Sequence, residues 1–144
     1  FITDKEELVK PVGFKIENSF IHKIEHKTAV EKGRDINRVL TRFKNVLENV
    51  DILIAHNASF DINVIKSEAY RNKRYDLIEL LDKVKVCCTM LTGAVSLNIK
   101  SGHISLCNLY EKLFKEKMEV RHNALYDCKQ TIKCYFKIKG VQII

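Results

Sequence analysis

A run of four apolar residues, Ile52–Ala55, follows a polar turn and leads directly into a polar cluster. A short apolar run of this kind is typical of a fully buried strand. Helical patterns lie on both sides of it along the chain, and strands that alternate with helices imply an α/β domain with helices packed on a mixed sheet. In such sheets functional groups gather where strands end and helices begin, so the cluster after Ala55 is the first place to look for a site.

The clearest helical pattern covers residues 33–50, where apolar residues recur at intervals of three and four. This spacing predicts an amphipathic helix that buries one stripe, with Asp35 in its first turn. The other predicted elements are, in chain order, a turn at 3–6 followed by a short strand, a helix capped by Ser59, a helix at 77–81, a strand at 85–89, a loop at 92–104 and helices at 106–114 and 123–137.

The composition bounds the class of protein. The 144 residues, 46% of them hydrophobic, suffice for one domain (1–144) and not for two. We find no apolar stretch long enough to span a membrane and no signal peptide, and we expect a cytoplasmic protein. The five cysteines form no C-x-x-C pair, so neither a disulfide framework nor a zinc ribbon is indicated. His103 and Cys107 have a spacing that a shared metal would accept, but small apolar cysteines in a reducing cytosol are the favoured interpretation.

The chain is basic, with 25 Lys and Arg against 18 Asp and Glu, which gives a net charge of +7. A positive balance suits a partner that carries phosphates, because the release of counterions drives such binding. Charge alone does not separate a nucleic-acid-binding protein from other basic proteins, since it bears on solubility and association in general.

The polar cluster after the apolar run is His56-Asn-Ala-Ser-Phe-Asp61. Asp61 is expected in the first turn of the following helix, where a carboxylate is well placed to hold a hard cation such as Mg²⁺. The alternative is that Asp61 only stabilises the helix dipole, as an acidic residue near a helix N-terminus commonly does.

A second cluster, His122-Asn-Ala-Leu-Tyr-Asp127, opens the last predicted helix. Asp127 then projects toward the same end of the helix as His122. A neutral imidazole near a metal-bound water is able to act as a general base, because its reference pKa is about 6.5. The alternative for His122 is a structural or solvent-exposed histidine.

Taken together, H-N-x-x-F-D at a strand-to-helix junction and H-x-A-x-x-D at the start of the last helix resemble the DEDDh exonuclease family. The resemblance is closest to the DNA polymerase III epsilon-like, proofreading branch, whose fold is ribonuclease H-like with a mixed central sheet flanked by helices. It implies that Asp61 and Asp127 are two of four carboxylates that hold two divalent ions, Mg²⁺ or Mn²⁺. It also implies that His122 deprotonates the attacking water.

The resemblance extends along nearly the whole chain and implies substrate-binding residues. The segment Ser19-Phe-Ile-His-Lys-Ile24 is similar to the I-H-G-I segment of the family and places His22 at its histidine, although Lys23 and Glu25 depart from the family pattern. Phe60 is expected near the terminal nucleotide, with a core aromatic as the alternative. Asn57 either orients the strand end or touches substrate.

The remaining two carboxylates of the family belong to a D-x-E motif on the first strand of the sheet. Asp4-Lys5-Glu6 spells this motif, but it lies too close to Pro11 for a further strand and its turn to fit between them. We therefore interpret 3–6 as a hairpin turn and expect the acidic motif and its strand to be missing from the N-terminus. This chain alone is then expected to be a weak nuclease.

The function expected from this resemblance is a metal-dependent 3′–5′ exonuclease that acts on single-stranded 3′ ends, with DNA favoured over RNA. A DNA polymerase subunit is a further expected partner. The alternative is a catalytically degenerate module that keeps the fold and binds nucleic acid or a polymerase.

Overall fold

The computed structural model describes residues 5–17, 19–120 and 123–141, and at 21 and 22 it describes the backbone only. Within these ranges the chain forms short helices and two strands. Their bounds, in chain order, are α1 Ser19–His22, α2 His26–Lys32, α3 Ile36–Leu47, β1 Ile52–Ala55, α4 Ala58–Arg71, α5 Tyr75–Lys83, β2 Lys85–Cys88, α6 Thr89–Ser96, α7 Leu106–Phe114 and α8 Ala124–Ile138.

Strands β1 and β2 pair in parallel, with Ile52 opposite Lys85 and Ala55 opposite Cys88. Parallel neighbours need a crossover connection, which α4 and α5 supply. Both strands therefore end at the same edge of the sheet. The two predicted strands are confirmed, except that Thr89 begins α6 instead of ending β2.

The prediction that Ile52–Ala55 is fully buried is wrong, because all four residues are only partly buried. Among the described residues β1 pairs with β2 alone, so no described strand pairs with its other edge. Residues 5–10 form no strand either; Val9 makes a single parallel bridge with Arg34. The mixed sheet and the missing N-terminal strand therefore stay predictions.

The amphipathic helix predicted over 33–50 is α3, and it is shorter at both ends. Asp35 does not lie in its first turn as predicted but is its N-cap, where the carboxylate accepts hydrogen bonds from the backbone of Asn37 at 2.9 Å and Arg38 at 3.2 Å. Side-chain caps of this kind satisfy backbone N–H groups that the helix itself leaves free. In the part of the chain that is described, no helix is both long and apolar enough to cross a membrane.

The predicted loop at 92–104 is wrong in its first part, because α6 continues to Ser96. Gly93 was read as a loop residue, but it lies in the helix against α7. A Cβ atom at this position would come within 2.6 Å of Leu109 Cδ1. Glycine is therefore required by the close approach of the two helices, not by a turn.

Two apolar cores hold the helices together. One joins α3, α4 and α5, and Leu53 of β1 packs against it. The other joins α6, α7 and α8. The buried members of the first are Leu40, Leu47, Ala69, Leu77 and Leu81, and those of the second are Ala94, Ile104, Leu109 and Cys134. Because α4 and α8 each contact β1, the strand connects the two cores.

We expect Leu77→Ala to lower the free energy of unfolding by about 2–5 kcal/mol, because Leu77 is fully buried and its loss leaves a cavity. Leu91→Ala is the matched control, since Leu91 is 49% exposed and should cost roughly 1 kcal/mol at most. Urea denaturation of both variants measures the difference. Equal losses would contradict the first core as described.

Candidate active site

The first half of the site forms where β1 ends. His56 follows the strand, and Asn57 adopts the left-handed conformation, with φ of 67°, before α4 begins at Ala58. Asparagine tolerates this conformation better than most residues do. The Asn57 carbonyl accepts a hydrogen bond from the backbone of Phe60 at 2.9 Å. The sharp turn thereby converts a strand into a helix within two residues.

Asn57, and not the predicted Ser59, is the N-cap of α4, although its side chain makes no capping hydrogen bond to the helix. Its amide oxygen instead accepts a hydrogen bond from the Ser59 hydroxyl at 3.4 Å. Phe60 is 64% exposed, so the alternative of a core aromatic is wrong and its ring is accessible beside the turn. These positions leave Asn57 and Phe60 both exposed next to Asp61.

Asp61 lies in the first turn of α4, as predicted from sequence. Partial burial raises the pKa of its carboxyl above the ordinary value of 3.8, and a hydrogen bond from its own backbone works in the opposite direction. Its side chain makes no ion pair among the described residues. Burial disfavours the charged form of this carboxyl, and a cation bound nearby would favour the charged form.

The second half of the site is the start of α8. Asn123 is its N-cap, and the side-chain oxygen of Asn123 accepts a hydrogen bond from the backbone of Tyr126 at 2.8 Å. Its side-chain nitrogen donates to the Glu6 carboxylate at 3.3 Å. Asp127 lies in the first turn, and its carbonyl accepts a hydrogen bond from the Thr131 hydroxyl at 2.9 Å. Residue Glu6, interpreted from sequence as part of a hairpin turn, therefore supports the second cluster.

The thiol of Cys128 shows that the two halves meet. Burial raises its pKa, and the negative charges of Asp61 and of Asp127 raise it further. A charge affects the pKa of another group appreciably only at short range. Asp127 directly precedes Cys128 in α8, so the influence of Asp61 on this thiol indicates that the first turn of α4 lies near the start of α8.

A second contact joins the ends of the two strands. The Nδ1 atom of His56 lies 3.0 Å from the Thr89 hydroxyl, and that hydroxyl donates to the Ala55 carbonyl at 3.3 Å. Burial lowers the pKa of His56, while a weaker backbone interaction with Ile104 acts in the opposite direction. The imidazole of His56 is therefore neutral at physiological pH.

Three residues named from sequence lie outside this description. His122, the expected general base, lies outside the described residues, as does Asp4. Only the backbone of His22 is described, and it ends α1. Among the described residues no group of three or more His, Cys, Asp and Glu side chains is arranged to hold a metal. The Nδ1 atom of His103 lies 3.0 Å from the Ser101 carbonyl oxygen.

Asp61 and Asp127 offer two carboxylates, each in the first turn of its helix, and oxygen ligands are the ones that hard divalent cations prefer. Sequence patterns missed Thr89 and Cys128 as neighbours of the site. Thr89 was read as the last residue of a strand, and Cys128 as one of several small apolar residues. The sequence signal that Cys128 lies near the site is its position directly after Asp127.

Comparison with known families gives one match. The sequence profile of the RNase T family, described as an exonuclease, matches residues 2–135. The match covers almost the entire chain and includes both polar clusters, 56–61 and 122–127. Neither the curated proteins nor the solved structures contain a match to the chain.

We expect the carboxyl of Asp61 to titrate above 3.8 in the metal-free protein, because burial opposes its charge. Below the unfolded-state pKa the group is neutral in both states. Folding stability then falls as pH rises through the raised native pKa, since ionisation is harder in the folded protein. Asp61→Asn should therefore be slightly more stable at pH 7, by less than about 0.5 kcal/mol for so exposed a group, with the gain vanishing in acid.

Carbon-13 NMR titration of the side-chain carboxyl measures this pKa, and the Asp61→Asn variant identifies the resonance by its disappearance. Thermal unfolding of both proteins at pH 3.5 and pH 7 measures the stability difference. A carboxyl that titrates at or below 3.8 would contradict the described burial.

Proposed function

This chain belongs to the RNase T family of exonucleases, and from that premise we propose that it is a metal-dependent 3′–5′ exonuclease of the epsilon-like type. Its substrate in this proposal is the single-stranded 3′ end of DNA. The observation that supports the proposal is that Asp61 and Asp127 each lie in the first turn of a helix, and that the charge of Asp61 reaches Cys128, the residue after Asp127. Two carboxylates that converge at strand and helix ends suit phosphodiester hydrolysis with metal ions.

The pair fits a hard cation in the type of its ligands and falls short in their number. Asp61 and Asp127 are the side chains that hold Mg²⁺ or Mn²⁺ in this proposal, and we take the other two carboxylates to be a D-x-E pair on a strand before Phe1. When bound, two such ions supply a nucleophilic water near neutral pH and stabilise the charge on the phosphate and the leaving 3′ oxygen.

The remaining roles belong to the chain's own residues. His122 comes just before the cap of α8, one turn or so from Asp127 in sequence, and we propose that its neutral imidazole accepts the proton of the attacking water. The exposed ring of Phe60 is free to stack on the terminal base, an interaction worth about 1–3 kcal/mol per base in proteins that bind single strands. Asn57 and His22 complete the proposed contacts to the terminal nucleotide.

The partner is a nucleic acid in this proposal, in agreement with the net charge of +7. A proofreading role would make a DNA polymerase subunit a second partner. A degenerate module that binds nucleic acid without cleaving it is the competing function, and the experiment below separates the two.

We expect the protein produced from its full reading frame to release mononucleotides from 3′-labelled single-stranded DNA in the presence of Mn²⁺. Asp61→Asn and Asp127→Asn should each reduce the rate at least roughly a hundredfold, because each removes a ligand that contributes several kcal/mol to transition-state stabilisation. Asp51→Asn is the matched control, since Asp51 is an exposed aspartate at the opposite end of β1.

Substrate labelled at the 5′ end fixes the direction, because a 3′–5′ enzyme leaves a ladder of shortened strands while a 5′–3′ enzyme releases the label at once. Strand binding without any release would favour the degenerate module. Release that persists in EDTA, or in both site variants, would rule out the metal-dependent mechanism.

A further inference from the structure

We propose that Thr89 is a positioning residue for the site, which acts through His56 and Ala55 to hold the turn that orients Asp61. This inference rests on the proposed function, because it takes Asp61 as a metal ligand. Thr89 itself is fully buried at the start of α6 and belongs to neither sequence cluster.

The register of the sheet puts Thr89 in reach of the first cluster. Ala55 and Cys88 are paired at the ends of β1 and β2, so the next residues along the two strands, His56 and Thr89, also lie side by side. From this point the chain turns into α4 on one strand and into α6 on the other. A link between His56 and Thr89 therefore fixes the relative position of the two helix starts.

The hydrogen bonds define the direction of that link. A carbonyl oxygen only accepts, so in the contact of 3.3 Å between the Thr89 hydroxyl and the Ala55 carbonyl the hydroxyl donates its one proton. The same hydroxyl must then accept from His56, whose Nδ1 atom carries the proton. The chain of donors runs from His56 through Thr89 to the backbone of β1.

This arrangement favours the tautomer of His56 with the proton on Nδ1, while the backbone of Ile104 acts on the same ring to raise its pKa. With the proton on Nδ1, the Nε2 atom holds a bare lone pair, and Nε2 is buried without a hydrogen-bond partner among the described residues. A second proton on Nε2 would place a charge in a buried position, and burial accordingly lowers the pKa of His56. The ring therefore stays neutral and keeps a single donor, which Thr89 uses.

The backbone of Phe60 donates to the Asn57 carbonyl within the turn, and the link through Thr89 ties the turn to the end of β2. Asn57 holds a left-handed backbone, which asparagine adopts at a lower cost than most residues with a side chain. Its side chain makes no capping hydrogen bond to α4 that would offset the cost. Asp61 follows four residues later, so a shift of the turn moves its carboxylate away from Asp127.

The test compares Thr89→Val, which keeps the shape and removes the hydroxyl, with Thr89→Ser, which restores it. The probe is Mn²⁺ itself, with its affinity measured by electron paramagnetic resonance. We expect Thr89→Val to weaken Mn²⁺ binding and kcat about 10–100-fold, the usual effect of losing a residue that orients a metal ligand, and Thr89→Ser to restore both. The KM for DNA should change little, because Thr89 is fully buried and out of reach of a bound strand.

Thr92→Val is the matched control. Thr92 lies in the same helix and its hydroxyl donates to the Cys88 carbonyl at 3.0 Å, so this variant loses an equivalent bond to the end of β2 without touching His56. We expect Thr92→Val to lose about as much folding stability as Thr89→Val and to keep the Mn²⁺ affinity of the natural protein. Equal losses of affinity in Thr89→Val and Thr92→Val would overturn the proposal, since Thr89 would then act only through stability.

Nitrogen-15 NMR of the metal-free protein gives a readout independent of activity. The His56 ring should show a proton on Nδ1 in the natural protein and in Thr89→Ser, and a mixture of tautomers in Thr89→Val. If Thr89→Val does not fold, His56→Asn and His56→Leu replace it. Asparagine keeps a donor for Thr89 and should retain Mn²⁺ affinity, whereas leucine should lose it.

The outcomes separate the two levels of the proposal. A natural protein that neither binds Mn²⁺ nor releases nucleotides defeats the proposed function. A natural protein that does both, with a Thr89→Val variant that binds Mn²⁺ equally well, defeats the positioning role of Thr89 and leaves the function intact. A higher Mn²⁺ affinity in His56→Asn than in His56→Leu supports the link between His56 and Thr89, and equal affinities in the two variants overturn it.

Discussion

The parallel pairing of β1 with β2 is the constraint on which the rest of the site depends. Ala55 and Cys88 end the two strands at the same level, and so two chain segments leave the sheet at one edge. Parallel pairing is possible only because α4 and α5 return the chain to the starting edge. The crossover helix that the topology requires is thus the same helix whose first turn carries Asp61.

Placing two carboxylates together has an electrostatic cost that the helices reduce. Asp61 and Asp127 each lie in the first turn of a helix, where the partial positive charge of the N-terminus favours an anion by about 0.3–1 kcal/mol. Their charges still combine at the Cys128 thiol, whose pKa they raise together with burial. Both charges therefore act near the start of α8, and a divalent cation bound there would offset them.

Much of this fold is readable from periodicity, and the failures have physical causes. The strand at 52–55 and the helices α3, α7 and α8 were predicted close to their observed bounds, because one apolar stripe or run dominates each. Helix α6 was missed because Gly93 is a breaker in isolation, and only the contact with Leu109 explains it. The burial of β1 was overestimated because an apolar run does not reveal how many strands flank it.

The sequence predicts which residue types form the site, but it does not predict the contacts that hold them in place. The positions of Asp61 and Asp127 at helix starts follow from local pattern, since a polar cluster before an amphipathic stretch marks an N-terminus. The cap of α4 was assigned to Ser59 because serine is the commoner cap, whereas the chain uses a left-handed Asn57. His122 and the side chain of His22 lie outside the described residues, so their roles stay predictions.

The contacts that hold the two clusters in place come from distant parts of the sequence. His56 is linked to Thr89, 33 residues away, and Asn123 to Glu6, 117 residues away. Neither link belongs to the motif it supports, and a short motif carries no information about it. The second link has an anchor of its own, because the adjacent Glu7 forms ion pairs with Arg34 and Arg42 near the start and on the body of α3. The residues next to both helix starts are therefore held by tertiary contacts, and in the proposed function a substitution at a supporting residue would impair the site while every motif residue is intact.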